Sequence, residues 1–455
     1  MTFCQLIDSD KFDEQKGGRD VTNQTSLQGK ASRAMAGMIG SAVFASALLG
    51  SSALAWAETI TVWSGYPEMT PFYQHVAEGM KASHPDLEVK VEAIALREHE
   101  KRVALGLTSG AAGTTIIELP GSTASRYLEN DLLPAAPEAV SAFVKDPANF
   151  GQFFVDSASR GGVVYGVPLF RGQAALYYNT DMFAKAGLTE PPKTMDDYTA
   201  YAEKLTQRDG SGKATVSGWS LRLSGGGQGI AEKFWINLFQ NGGSVLEPAG
   251  DGKWKANYAN EAGRKTLKQY LDNVFTKKTV AVEMPADAEA FERGQTAMFI
   301  RESWVISDIA QKAPDLKYAT APLPAGSIAL PANLYVKGDS QAAWDFTLAA
   351  NTPENLVWLL DNVGWLPNRS GVDYSSVTSA KPAFAAFVDY PDGYKFFTLP
   401  AIGPIEEVLT RLAAQLTAAF GDAALAGDDA AIDAYLKAAA DETNTILDRE
   451  GLLAK

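Results

Sequence analysis

From Glu58 onward the apolar positions follow two alternating rhythms. "ETITVWSG" (Glu58 to Gly65) alternates apolar and polar residues into a glycine, which predicts a strand ending in a loop. "TPFYQHVAEGMKASHP" then spaces Phe72, Val76 and Met80 four apart, the period of a helix, and Pro85 limits it. "LEVKVEAIAL" alternates again, "EHEKRVALGLTSG" is helical up to Gly110, and "TTIIEL" is a short apolar strand. Strand, helix, strand, helix, strand predicts a parallel α/β sheet. Ligands of such sheets sit beyond the carboxyl ends of the strands, which here means Gly65 to Glu68 and Leu119 to Thr123.

A second α/β set follows. "TMDDYTAYAEKLTQRDGSG" predicts a helix capped by Thr194, "GWSLRL" a strand, and "GIAEKFWINLFQNGG" a helix closed by glycines. "AEAFERGQTAMFIRESW" runs from a short helix through Gly294 into the strand "TAMFI", and "LKYATAPLP" predicts another strand. From "AAWDFTLAANT" to the end the pattern is mostly helical, with "VLTRLAAQLTAAF" and "AAIDAYLKAAADETNTIL" as surface-packed helices. The chain shows no internal repeat and no long low-complexity linker, so two α/β lobes with several crossings are expected. One stretch breaks the pattern: in "GVPLFRGQAALYYNTDMF" (Gly166 to Phe183), Arg171, Gly172 and Gln173 interrupt an otherwise buried strand.

The 455 residues are 46% hydrophobic and 21% charged, enough for two or three globular domains. Lys and Arg number 40 against 54 Asp and Glu, a formal net charge of −14, and no basic run could track phosphates, so nucleic acid is not an expected partner. The first 57 residues differ from the rest. A polar leader precedes Lys30 and Arg33, then come the small-apolar run Met38 to Gly50 and "SSALAWA" ending at Ala57. That order predicts a signal peptide cleaved after Ala57, with a true start near Met35 as one possibility. The rival, a membrane anchor, would need about 20 strongly apolar residues. Cys4, the only cysteine, lies in this leader, so the mature chain is expected to carry neither disulfide nor lipid anchor and to be a soluble exported protein.

Catalytic signatures are sparse. "HEKRV" at His99 lacks the second histidine of H-E-x-x-H, no G-x-S-x-G elbow occurs, and "SGGGQG" (Ser224 to Gly229) lacks the Gly-Lys-Ser/Thr of a phosphate loop, which leaves a close-approach loop. No catalytic residue, metal ligand or cofactor is expected. Tyr177 and Tyr178 raise ferric iron as a rival ligand, but adjacent strand residues point to opposite faces, so at most one need face a cleft. A secreted polysaccharide hydrolase or lyase would need paired acids or a Tyr/Lys base, and no convincing pair is legible. Arg171, Arg222, Arg301 with Glu302, and Arg369 each fall where a strand or turn meets a loop, beside Gly172, Ser224, Trp304 and Trp365. Guanidinium forks bind hydroxyls or carboxylates and indole faces stack on sugar rings, so their recurrence at loops points to a binding cleft.

With these residues in place, the chain resembles the family 1 extracellular solute-binding proteins of ABC importers, the sugar-binding group that includes maltose-binding protein. The resemblance spans nearly all of the mature chain. It is carried by "YGVPLFRGQAALYYNTDMFAKAGLTEPPKTMDDY", "FERGQTAMFIRESWVISDI", "APLPAG", "AAWDFTLAANTPEN" and "GWLPNRSG", in that order. Met195 stands where the family usually has tryptophan, and "RESW" and "LPANLYV" also depart from its pattern.

The resemblance implies an α/β fold of two lobes with three hinge crossings and a ligand cleft between them. The crossings would be Phe170 to Gln173, Leu330 to Asn333 and Trp365 to Asn368, with Arg171 and Gln173 exposed to the cleft. The N-terminal lobe would hold 58–171 and 332–366, and the C-terminal lobe 172–331 and 367–455. Implied ligand contacts are Tyr66 and Glu68; Gly121, Ser122 and Thr123; Arg171 and Gln173; Arg222 and Ser224; Glu302, Ser303 and Trp304; Asn333; Trp365; Arg369; and Pro404 beside Gly403. The implied function is a periplasmic, monomeric, non-enzymatic receptor that closes on a saccharide and delivers it to ABC permease subunits. Four arginines hint at an anionic sugar, such as a uronide or sulfonated sugar; a neutral sugar remains ahead.

Overall fold

The computed structural model describes residues 58–110, 113–223, 227–280 and 287–455. The expected signal peptide and Ser224 lie outside the described residues. Beginning at Glu58, β1 (Thr59–Ser64), α1 (Thr70–Met80), β2 (Glu88–Ala93), α2 (Leu96–Ser109), β3 (Thr115–Pro120) and α3 (Gly121–Glu129) follow the alternation that the apolar periods predict. β1 lies parallel between β2 and β3, pairing Thr59 with Glu88 and Thr61 with Thr115. α1 carries a proline in its first turn, where no backbone N–H is needed, and buries Phe72, Tyr73, Val76 and Met80. Gly110 ends α2 in the left-handed conformation, φ 69°, that glycine adopts without cost.

The interrupted stretch is one long strand, β4 (Gly166–Asn179). The second set then contributes α4 (Met195–Leu205), α5 (Gly229–Gln240), the short hairpin strands β5 (Leu246–Pro248) and β6 (Trp254–Ala256), β7 (Met298–Glu302), β8 (Tyr318–Ala321) and β9 (Gly326–Lys337). Thr194 caps α4 in a full capping box with Asp197. α6 (Gln341–Ala350), α7 (Pro353–Asn362), β10 (Leu366–Pro367), β11 (Lys395–Phe397), α8 (Ile405–Phe420) and α9 (Asp429–Arg449) complete the labelled elements. "GWSLRL" is not a strand. Ser217 bridges to Thr296 and the Ser220 N–H reaches the Met298 carbonyl, but Arg222 turns into the left-handed region at φ 49°, which no continuing ladder accommodates.

β4 explains how the two sets join. The hydrogen-bonded order is β7-β4-β9-β3-β1-β2, with β8 and β10 also on β4 and β11 on β9. The first half of β4 pairs with β9 (Phe170 with Ala332, Gly172 with Leu330) and with β10 (Arg171 with Leu366). Its second half pairs with β7 (Ala174 with Glu302) and β8 (Leu176 with Ala321). The partners therefore change at residues 173–174, where the chain passes from one lobe to the other. Cores form on either side: Val62, Phe72, Leu169, Leu334 and Phe346 in the first lobe, and Leu176, Trp219, Phe234, Leu271 and Leu409 in the second. α8 and α9, expected to pack at the surface, bury Leu409, Leu412, Leu416, Leu436 and Leu447 in this second core. Past the third crossing, Asn368 and Ser370 still bond to first-lobe Leu169, Phe170 and Asn149.

Candidate functional site

Alternation along β4 decides what faces the cleft. Phe170 packs against Tyr66 and Trp365, at 5.4 and 5.0 Å between ring centroids, and a side chain on Gly172 would point at Trp365 and Glu302. Arg171 and Gln173 therefore point to the opposite side, behind the hinge, which corrects the expectation that they are exposed to the cleft. Gln173 is fully buried and donates to the Phe387 carbonyl and the Tyr390 hydroxyl. Arg171 donates to Gln173 and to the Pro367 carbonyl, above the Phe154 ring. The break in the greasy pattern is thus a seam: the polar pair ties the crossing from behind, and the glycine leaves the front open.

The first-lobe wall is aromatic. Tyr66 meets Trp365 edge-on at 5.3 Å, and the Trp365 indole N–H donates to Glu68 at 3.2 Å. Tyr66 stands on a buried acid that the sequence reading passed over. Glu118, on β3, accepts from the Ser64 hydroxyl at 2.8 Å, the Gly65 N–H at 3.1 Å and the Tyr73 hydroxyl. Burial pushes the Glu118 carboxyl up to about 8, and His99, whose Nε2 meets the Glu118 carbonyl at 2.7 Å, is pushed down to about 4 by its own burial.

The second-lobe wall is ionic. Lys233 of α5 reaches Glu302 at 3.1 Å and the Ile300 carbonyl at 3.0 Å; Arg301 reaches Glu302 at 3.1 Å and lies 5.4 Å over the Trp304 ring. Burial alone would raise the Glu302 carboxyl, but the Arg301 and Lys233 charges override it and hold it well below the usual range. Burial likewise lowers the Lys233 ammonium. Arg222 lies against α5, its guanidinium occupying the space a side chain on Gly229 would need, and has no ion-pair partner within 4 Å among the described residues.

Ion pairs join the lobes. Arg126 of α3 meets Glu406 of α8 at 2.7 Å, and Arg97 of α2, held by Glu100 at 2.7 Å, lies 3.9 Å from Glu232 of α5. Gly403, beside Pro404, approaches the carboxylate of Glu129 at the end of α3. Arg97, Glu100, Arg126, Glu232, Lys233 and Glu406 were not anticipated. Arg97 and Glu100 carry a local signal, helical i,i+3 spacing, but nothing local announces partners in the other lobe.

Tyr66, Glu68 and Trp365 lie in contact with one another, Glu302 meets Trp365 across Gly172, Trp304 lies beneath Arg301, and Pro404 follows Gly403 at its approach to Glu129. Other expected contacts are spent on structure. Gly121 sits where an added Cβ would lie 2.3 Å from the Ser157 carbonyl, so it is a packing residue; Thr123 is buried beside it, and Ser122 keeps partial exposure. Asn333 is fully buried, donating to Ser157 and Tyr335, and Ser303 is fully buried with its hydroxyl on the Gly364 carbonyl. Arg369 donates to the Asn351 carbonyl and to Asn149 above the Phe143 ring, pinning the third crossing. For Asn333, Ser303 and Arg369 the correction has one cause: near a crossing, polar side chains must satisfy backbone that leaves its sheet. Tyr177 donates to the Glu302 carbonyl inside a buried aromatic cluster while Tyr178 packs on Phe183 at the other face, so the two phenols do not converge.

Residues 75–386 match the family described as bacterial extracellular solute-binding protein. A binding protein of Brucella abortus (strain 2308) is 25% identical over 282 residues, covering 61% of this chain and 66% of that relative. The lactose-binding protein of Rhizobium radiobacter is 26% identical over 299 residues, covering 64% and 67%. The chain thus spans about two thirds of the length of these relatives. Among solved structures, an ABC substrate-binding protein from Listeria monocytogenes in complex with cycloalternan superposes with a TM-score of 0.71 at 20% identity, over 86% of this chain and 99% of that one. A maltose-bound protein of T. maritima gives 0.72 at 18%, over 86% and 100%. These neighbours share the two-lobe fold. A family match over more than half of the chain, on lobes joined by three crossings around a shared cleft, makes this chain a bacterial extracellular solute-binding protein.

Proposed function

We propose that the chain is a non-enzymatic, periplasmic receptor that captures a saccharide between its lobes and hands it to an ABC permease. The observation that carries this reading is the facing of two unlike walls: an aromatic one, Tyr66 and Trp365, on the first lobe and a hydrogen-bonding one, Lys233, Glu302 and Arg301, on the second. A sugar ring is complementary to that pair, with C–H faces for the rings and hydroxyl edges for the charges. Both walls act together only when the lobes are closed, so ligand shifts the population toward closure. The lactose-binding relative and the neighbours holding cycloalternan and maltose support a saccharide.

A neutral sugar is favoured over an anionic one. Arg97, Arg126, Lys233 and Arg301 each already face a carboxylate, so an added oxyanion would compete with Glu100, Glu232, Glu302 or Glu406. Arg222, beside α5 and without an ion-pair partner within 4 Å among the described residues, is the cation that would meet an anionic group. Because the Tyr177 and Tyr178 phenols do not converge, an iron-phenolate receptor is not supported. The test is a thermal-shift screen of Glu58 to Lys455 against neutral, uronic and sulfonated saccharides, with ferric citrate as control. A ligand that binds only the folded state raises the melting temperature as RT ln(1 + [L]/Kd) requires. A rise with neutral sugars supports the reading. A rise with uronides alone moves the assignment to Arg222, and a rise with iron alone overturns it.

A further inference from the structure

We propose that the second lobe carries a saccharide pocket of its own, outside the cleft, where Phe239, Trp254 and Phe397 wall a cavity of about 730 Å³. Its volume falls in the range of small-molecule sites, roughly 300–1,000 Å³. The cavity lies at the carboxyl end of α5, whereas Glu232 and Lys233 near the amino end serve the cleft; Glu232 and Gln240 are about 12 Å apart along the helix axis.

The walls are built rather than incidental. Phe397 stacks on Phe239 at 4.6 Å between centroids and on Trp235 at 5.7 Å, giving a continuous aromatic platform with Trp235 as its buried floor. That stack depends on Gly326. Its φ is 152°, and an added Cβ would lie 2.0 Å from the Lys395 carbonyl oxygen and 2.8 Å from the Phe239 ring, so only glycine lets β11 close on β9 and bring Phe397 to Phe239. Trp254, which also lines the cavity, is held by residues 452–454: its N–H donates to the Leu452 carbonyl at 2.8 Å, and its own carbonyl accepts from Ala454 at 3.0 Å.

Chemistry at the cavity selects an amphipathic ring over a purely apolar guest. Phe239, Trp254 and Phe397 are half-buried and line the cavity, so part of their apolar surface is open to C–H groups. Around them sit the Asn257 amide, the Thr398 hydroxyl and the Lys395 ammonium, which has no ion-pair partner within 4 Å among the described residues. The Trp235 indole N–H is buried without a hydrogen-bond partner among the described residues. Aromatic faces bordered by donors and acceptors suit a pyranose. Every lining residue belongs to the second lobe, so occupancy neither needs nor drives lobe closure. The pocket would hold a glycan by one segment without committing the cleft, and it stands whether or not the cleft takes the same sugar.

Fluorine NMR of the fluorotryptophan-labelled full chain, titrated with lactose and with maltotriose, tests this, Trp254 being assigned by its loss in Trp254→Phe. The expected result is a saturable shift of the Trp254 resonance, weakened about tenfold by Phe397→Ala. The Trp304 and Trp365 titrations should be unaffected by that variant. A Trp254 signal that stays fixed while Trp304 and Trp365 move overturns the pocket and leaves the cleft reading intact. Movement of all three on one curve that Trp365→Ala abolishes also overturns it, as an echo of closure. A response to hexanol but to neither sugar would make the cavity apolar and overturn the assignment.

Discussion

The guanidinium of Arg126, on the first lobe, lies 2.7 Å from the carboxylate of Glu406, in the first turn of α8 on the second. Glu406 is also placed where the α8 dipole favours an anion, so the pair is set from both sides. It exists only while the lobes are together. Glu406→Gln should leave each lobe folded and weaken saccharide binding by about three- to tenfold, the scale of a partly exposed ion pair. Calorimetric titration of both proteins checks this; unchanged affinity would mean that the pair does not hold closure.

Trp365 is both floor and donor, with its ring against Phe170 and Tyr66 and its N–H on Glu68. Trp365→Phe keeps a ring and loses the bond; Trp365→Ala loses both. Affinity should fall in that order, by at least about tenfold for alanine. Alanine should also destabilise the fold by about 3–5 kcal/mol, because the residue is buried. Titration paired with urea unfolding separates the two losses.

Glu118 predicts a pH effect of definite sign. Its folded carboxyl is raised to about 8, above its unfolded value, so the folded chain binds more protons in between. Its contribution to stability is fully present below the unfolded value near 4.5 and is lost as pH rises through 8. Melting temperatures of the wild type and Glu118→Gln, measured from acid to alkaline pH, should differ by a fall across this window that the glutamine variant lacks. Equal slopes would contradict a neutral carboxyl beneath the Tyr66 loop.

Lys233 and Glu302 form a buried pair with Arg301 as third member. Lys233→Met leaves Glu302 with one cation and should cost about 3–5 kcal/mol, the usual penalty for breaking a buried pair from one side. Glu302→Gln in the same background should recover part of that loss. Urea unfolding of the single and double variants gives the coupling directly, and additivity would deny it.

The α/β alternation and the Thr194 cap were legible because each rests on local signals, apolar period and capping chemistry, whereas the three crossings came only from the resemblance to a known family. The site was only partly legible. Tyr66, Glu68 and Trp365 follow strand ends or turns and lie in contact with one another, while Trp304 lies beneath Arg301. Gln173, Asn333, Ser303 and Arg369 were read as ligand contacts because polar residues at crossings attract that reading, yet they satisfy backbone there. The converse error hid Glu118, whose place in "TTIIELP" looks like the polar beat of a half-buried strand although β3 is almost wholly buried. Pairs such as Arg126 with Glu406 span 280 residues of sequence and two lobes, and no local pattern encodes them.

The central claim, that saccharide closes two lobes about the crossings, is tested most directly by a distance across the cleft. Spin labels at Lys101→Cys on α2 and Arg411→Cys on α8, both exposed, report it in a Cys4→Ser background. With a saccharide that raises the melting temperature, pulsed electron resonance should show the distance distribution narrowing and shifting to shorter values, and Trp365→Ala should abolish the shift. A distribution unchanged by a saccharide that binds would contradict the account.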